Sequence, residues 1–267
     1  MYVNSVVHRY ILGTRVDVLN YDGAAQIITG WARARQSKYV CAANVQMVME
    51  AYKDDYFSRV VNSADLVSAD GMPLVWLLRK MGIADATRVY GPDLMHHVCA
   101  AAQLQEIPVG FFGGHGGYLE PLIHNMRARY PTLKINYAYS PPFSDLDPAP
   151  DEQIINSINA SGVRILFVSL GCPKQERWML RHKGRIQAVM LGVGAAFDFV
   201  SGRVRQAPHW MQNNGMEWLF RLSQDPKRLF ARYIRGNPHF VLLVLLHRLG
   251  MTSARRTSRA PRLSSRH

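Results

Sequence analysis

"VRILFVSLGCPKQERW", residues 163–178, decides how the rest of the chain is read. Residues 164–169 are apolar and β-prone, as a buried strand requires. Gly171, Cys172 and Pro173 then break the run, and Lys174, Gln175, Glu176 and Arg177 follow at once. A buried strand here delivers its chain into a cluster of donors and acceptors. With Pro173 at a helix start, the free N–H groups of the first turn face the same place. In open parallel sheets that place, the carboxyl end of a strand, is where ligands bind.

The same alternation runs through the body. Strands are expected at 15–19, 38–44, 65–71, 107–117 and 133–140, then in the opening stretch and from 187. Helices are expected over 45–62, 73–82 and 92–105, up to Tyr130, and from Glu152 behind an Asp151 cap. This pattern predicts an α/β fold, a Rossmann-like, mostly parallel sheet with helices on both faces. After Gly202 no strand pattern remains, and Pro208, Pro226 and Pro238 punctuate what reads as helices. The expected organisation is a catalytic body over 1–202, with a split into two subdomains near 106 left open. A helical basic appendage follows over 203–250, and a disordered tail over 251–267.

Charge sharpens that division. The net charge is +13, and from Ser201 onward thirteen Lys and Arg stand against two acids, Glu217 and Asp225, leaving +11 in that part. A nearly neutral body with a basic end seeks an anionic surface or phosphate groups. Arg228 and Arg232 share a helix face at i, i+4, and "HFVLLVLLHRLG" (239–250) is too short to span a bilayer but suits its interface. A core helix or an oligomer contact is the alternative for that run. Three cysteines without metal spacing fit free thiols in a reducing compartment, and the N-terminus has no apolar run that reads as a signal peptide. No nucleic-acid motif accompanies the charge, so nucleic acid is not an expected partner.

Five loops lie at expected strand ends. They carry Asn44, Asp70, the glycines of "FFGGHGG" (111–117), the Lys174–Glu176 cluster, and Gly192 with Gly194. Asp70 is the candidate general base, since an aspartate leaving a buried strand is partly desolvated and its pKa rises. A turn aspartate capping the next helix is the alternative. Gly113 and Gly114 let backbone N–H groups approach a phosphate or sugar, although a tight turn explains them equally. No dinucleotide or Walker fingerprint is present. The Asp-x-Asp of "SDLDP" (144–148) reads as turn chemistry, His96, His97 and His115 have no metal spacing, and Cys172 reads as structural.

Taken together, "SADGMPLVW" (68–76), "RVYGPDL" (88–94), "GFFGG" (110–114), "GCPKQERW" (171–178), "GVGAAFDFVSGRVRQAPHWMQ" (192–212) and "EWLFRLSQDPKRLFARY" (217–233) resemble the WecG/TagA/CpsF glycosyltransferases, in the family's order and over roughly residues 38–235. The resemblance implies inverting transfer of a sugar from a UDP-sugar to a polyprenyl-diphosphate-linked sugar, for a bacterial surface polysaccharide. It implies no essential metal and no cofactor, UDP-sugar being a substrate. It further implies a cytoplasmic protein peripheral on the inner face of the membrane, with a homo-oligomer left open. By position Asp70 matches the family's base, and Arg88 and Gln175 match polar pocket residues. Arg221, Arg228 and Arg232 match appendage arginines near the diphosphate, and Asn44 matches the first strand-end motif. Lys174, Glu176, Gly113 and Gly114 complete the expected substrate contacts. Ala42 stands where the family often has a threonine, which bears on sugar choice. Donors of the N-acetylmannosamine, mannosaminuronic acid and glucose types all fit. An inactive homologue scaffolding a polysaccharide complex is the rival reading.

Overall fold

The structure is a computed structural model that describes residues 6–114, 117–142 and 151–251, with the backbone alone at 228, 231, 232 and 235. The Asp-x-Asp loop, His115 and residues 252–267 of the basic tail lie outside it.

The chain opens with β1 (His8–Ile11) and β2 (Thr14–Asp17), then α1 (Tyr21–Arg33), β3 (Lys38–Ala43), α2 (Val45–Lys53), α3 (Asp55–Asn62) and β4 (Leu66–Ala69). It continues with α4 (Met72–Lys80), α5 (Gly91–Leu104), β5 (Val109–Gly113), α6 (Leu119–Arg129), β6 (Ile135–Tyr139) and α7 (Glu152–Ala160). Next come β7 (Ile165–Ser169), α8 (Lys174–His182), β8 (Val189–Gly192) and α9 (Ala196–Val200). The C-terminal segment is helical: α10 (His209–Asn213), α11 (Glu217–Gln224) and α12 (Pro226–Arg248).

The strands form one sheet in the order β1-β2-β4-β3-β8-β7-β5-β6, holding strands from both sides of residue 106. Every described pairing is parallel except the β1–β2 hairpin. The expected Rossmann-like α/β sheet is therefore present. Its central strands are buried on both faces, as parallel sheets require. In β7, Leu166 and Val168 join one apolar cluster while Ile165 and Phe167 join the other. Phe111 stacks on Phe167 and meets Phe197 edge-on beneath one face, with ring centres 5.5 and 5.6 Å away. Phe112 and Trp178 stack at 4.5 Å under the opposite one.

Three local differences from the sequence reading have physical causes. The expected helix over 45–62 is two helices, because Asp54 leaves helical geometry and its carboxylate accepts from the N–H groups of Tyr56 and Phe57. Pro238 does not end a helix but lies inside α12. The appendage packing holds that helix through the proline, with Phe240 and Leu243 buried on the body. The sequence reading contained neither β1 nor α1. The first is a four-residue edge strand with mixed exposure, and the second carries two glycines that weaken its helical signal.

The appendage is seated on the body. Gly215, between α10 and α11 and at φ +67, would place a Cβ 2.6 Å from the Trp76 ring of α4, so a glycine is needed for this approach. On α12, Phe230, Ile234, Val241, Leu245 and Leu249 of the adjoining turn are exposed at spacings of four and seven residues, which places them on one side of the helix. No described helix is long and apolar enough to cross a membrane.

Candidate active site

β3 and β4 are neighbours in parallel register, so Asn44 and Asp70 leave the sheet side by side. The Asp70 and Gly71 N–H groups both donate to the Ala43 carbonyl, at 2.8 and 3.3 Å, which ties the two strand ends together. Asn44 caps α2 by accepting from the Met47 N–H at 3.2 Å and turns its amide toward Asp70, 3.5 Å from Oδ2. Asp70 Oδ1 accepts from the Gly91 N–H at the start of α5, at 2.7 Å.

Arg88 joins the same residue through its backbone. Its Nε donates to the Asp70 carbonyl, and its terminal nitrogen lies 2.5 Å from Oε2 of Glu217, the first residue of α11. The Tyr90 hydroxyl donates to the other oxygen of Glu217 at 2.9 Å, and the Arg88 guanidinium sits 4.0 Å from the centre of the Tyr90 ring. Body and appendage thus meet in a partly buried ion pair in the lining of the same cleft as Asp70.

Electrostatics follow from this placement. Protein encloses the Asp70 side chain on most sides, while the residue keeps a face on a cleft. Burial pushes its pKa up to about 6, against the pull of Arg88, with Glu217 adding to the rise and the Gly91 N–H and Asn44 opposing it. Burial works against the Arg88 charge, but Asp70 and Glu217 outweigh it and hold the guanidinium above its ordinary value. Asp70 is therefore a carboxylate at neutral pH with more affinity for a proton than an exposed one has.

The cleft measures about 1110 Å³ and runs between α2 and α4 on one side and α10–α12 on the other. Asn44, Asp70, Arg88, Glu217 and Arg221 form a polar part of its lining, while Trp76, Leu77, Trp218, Tyr233, Phe240 and Val244 form an apolar part. The Arg221 guanidinium reaches over the Phe199 ring, 5.6 Å from its centre. A ligand with a charged polar head and an apolar remainder matches such a surface.

Of the residues expected from the sequence, Asn44, Asp70, Arg88 and Arg221 come together here. Arg228 and Arg232 lie on α12, with side chains outside the described atoms. Gly113, Gly114, Lys174, Gln175 and Glu176 share the carboxyl edge of the sheet but are not part of the cleft's lining. Gln175 and Glu176, expected as pocket contacts, are buried. The Gln175 amide donates to Glu176 Oε1 at 2.9 Å, and its carbonyl accepts from the Gly194 N–H at 3.1 Å. It therefore supports the Val193–Gly194 turn, against which Gly91 packs so closely that a Cβ would lie 3.3 Å from the Val193 carbonyl. Gln175 thus reaches Asp70 through two backbone contacts. Burial raises the Glu176 pKa despite bonds from Gln175 and Cys172, and burial beside Glu176 pushes up the Cys172 thiol, which keeps that cysteine structural. No cluster of metal-ligating side chains occurs among the described residues.

The sequence reading assigned no role to Glu217 or Tyr90. A signal for Glu217 was present: it is one of two acids in a strongly basic segment, and it opens a motif that resembles the family.

The family model described as "Glycosyl transferase WecG/TagA/CpsF family" matches residues 9–254. The N-acetylglucosaminyldiphosphoundecaprenol N-acetyl-beta-D-mannosaminyltransferase of Bacillus spizizenii is 27% identical over 220 residues, 82% of this chain and 83% of the relative. Enzymes of the same description from two strains of Staphylococcus aureus are each 27% identical over 192 residues, 72% of this chain and 74% of theirs.

Proposed function

The chain belongs to the WecG/TagA/CpsF glycosyltransferase family, and from that premise we propose that it moves N-acetylmannosamine, or a sugar closely related to it, from UDP to a polyprenyl-diphosphate-linked N-acetylglucosamine, with inversion and without a metal. The donor and acceptor are those in the relatives' names, with UDP as the expected carrier. The observation that carries the reading is Asp70, a partly desolvated carboxylate facing a cleft that combines arginines with an apolar wall.

In this mechanism Asp70 takes the proton from the acceptor hydroxyl as that oxygen attacks the anomeric carbon. The bond from the anomeric carbon to the UDP oxygen breaks on the opposite face, which inverts the centre. The negative charge that develops on the leaving diphosphate is met by arginines. Arg221 lines the cleft, and Arg228 and Arg232 follow on α12. The apolar side of the cleft takes the first part of the lipid. Ala42, half-buried on β3 opposite Ser68, stands where the family often has a threonine, and that change bears on which sugar is taken.

The exposed apolar row on α12, beside the basic residues of the appendage, is read as the contact with the cytoplasmic face of the membrane, where the lipid acceptor resides. Replacing Val241 and Leu245 with glutamate is expected to lower binding to anionic vesicles about 10-fold or more in a sedimentation assay, since each buried aliphatic side chain contributes about 1.5–3 kcal/mol. Unchanged binding would assign that row to another contact.

Exchanging Arg221 and Arg228 for glutamine should cut turnover roughly 10-fold to 100-fold, the scale of lost charged hydrogen bonds of about 1.5–3 kcal/mol. Turnover that survives intact would remove these arginines from the leaving-group site. The class itself is tested by incubating the full-length protein in detergent with a panel of UDP-sugars and synthetic lipid-diphosphate mono- and disaccharides, scored by mass spectrometry. Transfer from one donor names the sugar. A folded protein that binds no UDP would overturn the reading.

A further inference from the structure

We infer that Glu217 is a positioning residue of the active site: from the appendage, it holds the Arg88 guanidinium on the Asp70 backbone carbonyl and off the Asp70 carboxylate, so that the base is complete only when α11 is seated on the body. The inference rests on the assignment of Asp70 as the base.

The geometry is a relay through three residues from three parts of the chain. Arg88 makes two bonds of different kinds. Nε goes to the carbonyl of Asp70, which fixes the backbone of the base, and the terminal nitrogen goes to Glu217. The described ion pair of Arg88 is with Glu217 and not with the Asp70 carboxylate. Asp70 takes its own bonds from neutral donors, the Gly91 N–H and, at longer range, the Asn44 amide. A carboxylate bonded in this way keeps lone pairs for a substrate proton. One paired directly with an arginine would lose basicity.

Glu217 is suited to hold Arg88 there. Its side chain and that of Arg88 are both about one-seventh exposed, so the pair is shielded from solvent on most sides. Its second oxygen is taken by the Tyr90 hydroxyl, two residues along the chain from Arg88. The Tyr90 ring also lies against the Arg88 guanidinium. Removing one partner of such a pair leaves the other buried and uncompensated. An Arg88 without Glu217 has a second carboxylate within reach of its relaxed side chain, that of Asp70. The proposed function needs a base whose oxygen is free, and the appendage supplies the counterion that keeps it free.

The test compares Glu217→Gln, Arg88→Ala, the double variant and Asp70→Asn in the full-length protein, with steady-state kinetics on the lipid acceptor and thermal unfolding of each. Glu217→Gln is close in shape and keeps a hydrogen-bond acceptor for Tyr90. It is expected to lower kcat by about 10-fold to 100-fold, with KM for the donor changed less than about 3-fold. The double variant should be no slower than Arg88→Ala alone, because Glu217 acts through Arg88. A purely structural contact would change unfolding and add its loss to that of Arg88→Ala. Should Glu217→Gln fail to fold, Tyr90→Phe releases the carboxylate from one bond and should lower kcat several-fold by the same route; wild-type turnover in it would then overturn the inference. Wild-type kcat in Glu217→Gln, with Asp70→Asn inactive, would overturn it while leaving the proposed function in place. Transfer that survives Asp70→Asn would remove the base and the relay together.

Discussion

Asp70→Asn is expected to reduce glycosyl transfer by a factor on the order of 10² to 10⁴, the range that a positioned general base contributes. The protein should stay folded. Asparagine fills the same space, and its carbonyl oxygen still accepts from the Gly91 N–H that Oδ1 holds at 2.7 Å. Stability should stay level or rise. With the Asp70 pKa near 6, above its ordinary 3.8, the folded state holds the proton more tightly than the unfolded chain does. Ionisation above pH 6 therefore opposes folding, by about 3 kcal/mol at about 1.4 kcal/mol per pKa unit. That cost fades as pH falls through 6 toward 3.8. Asparagine removes it at neutral pH. The predicted signature is lost turnover with an unfolding midpoint at or above that of the wild type. The same pKa fixes the acid limb of the wild-type rate: kcat/KM falls as pH drops through about 6, as Asp70 takes up the proton that disables it. A limb near pH 4 would mean that Asp70 is an ordinary exposed carboxylate or is not the base.

Gly113→Ala is expected to be the most damaging alanine substitution among the described glycines. Gly113 ends β5 at φ +102 and is paired with Ser169, the last residue of β7. A Cβ there would lie 2.3 Å from the Ser169 carbonyl oxygen and 2.7 Å from its carbon. That carbonyl cannot retreat, because it accepts from the Gly114 N–H at 2.7 Å where the two strands end. Left-handed strain costs roughly 1–2 kcal/mol and a forced core contact about 1–3 kcal/mol more. The sum is a large part of a typical stability of about 5–15 kcal/mol. At roughly 2–4 °C per kcal/mol, thermal unfolding should drop by about 4 °C to 20 °C. Gly171→Ala separates the two causes, since Gly171 has φ +78 and open space around it. It carries the strain without the collision and should fall by only about 2–8 °C. Equal losses in the two variants would show that the close approach to Ser169 matters little.

Amino-acid order was enough for the sheet and most of its helices. Runs such as 164–169 are apolar on both faces and end in glycine or proline, and that pattern belongs to buried parallel strands. It was enough, too, for Asp70 and Asn44 as candidates, since strand ends in such a sheet share one edge, whereas Arg88 came from the family resemblance alone. The two-helix break at Asp54 lay within reach of the sequence, because an aspartate before Asp55-Tyr56-Phe57 is a capping signal. β1 was not: a short edge strand draws its stability from its partner and not from its own composition.

What tertiary structure alone decided is which strand-end residues line the cleft and which face protein. Lys174, Gln175 and Glu176 sit at a strand end as expected, yet the turn of α8 points Gln175 and Glu176 inward, where burial and the Gly194 N–H claim them. Arg88 and Glu217 are 129 positions apart, and no periodicity connects them. Their meeting depends on Trp76 receiving Gly215 and on Phe240 burying itself against the body, contacts fixed by shape. Local pattern reports how one segment partitions between water and core. The pairing of an arginine with a carboxylate from a distant helix is a property of docked surfaces, and it exists only once both have folded.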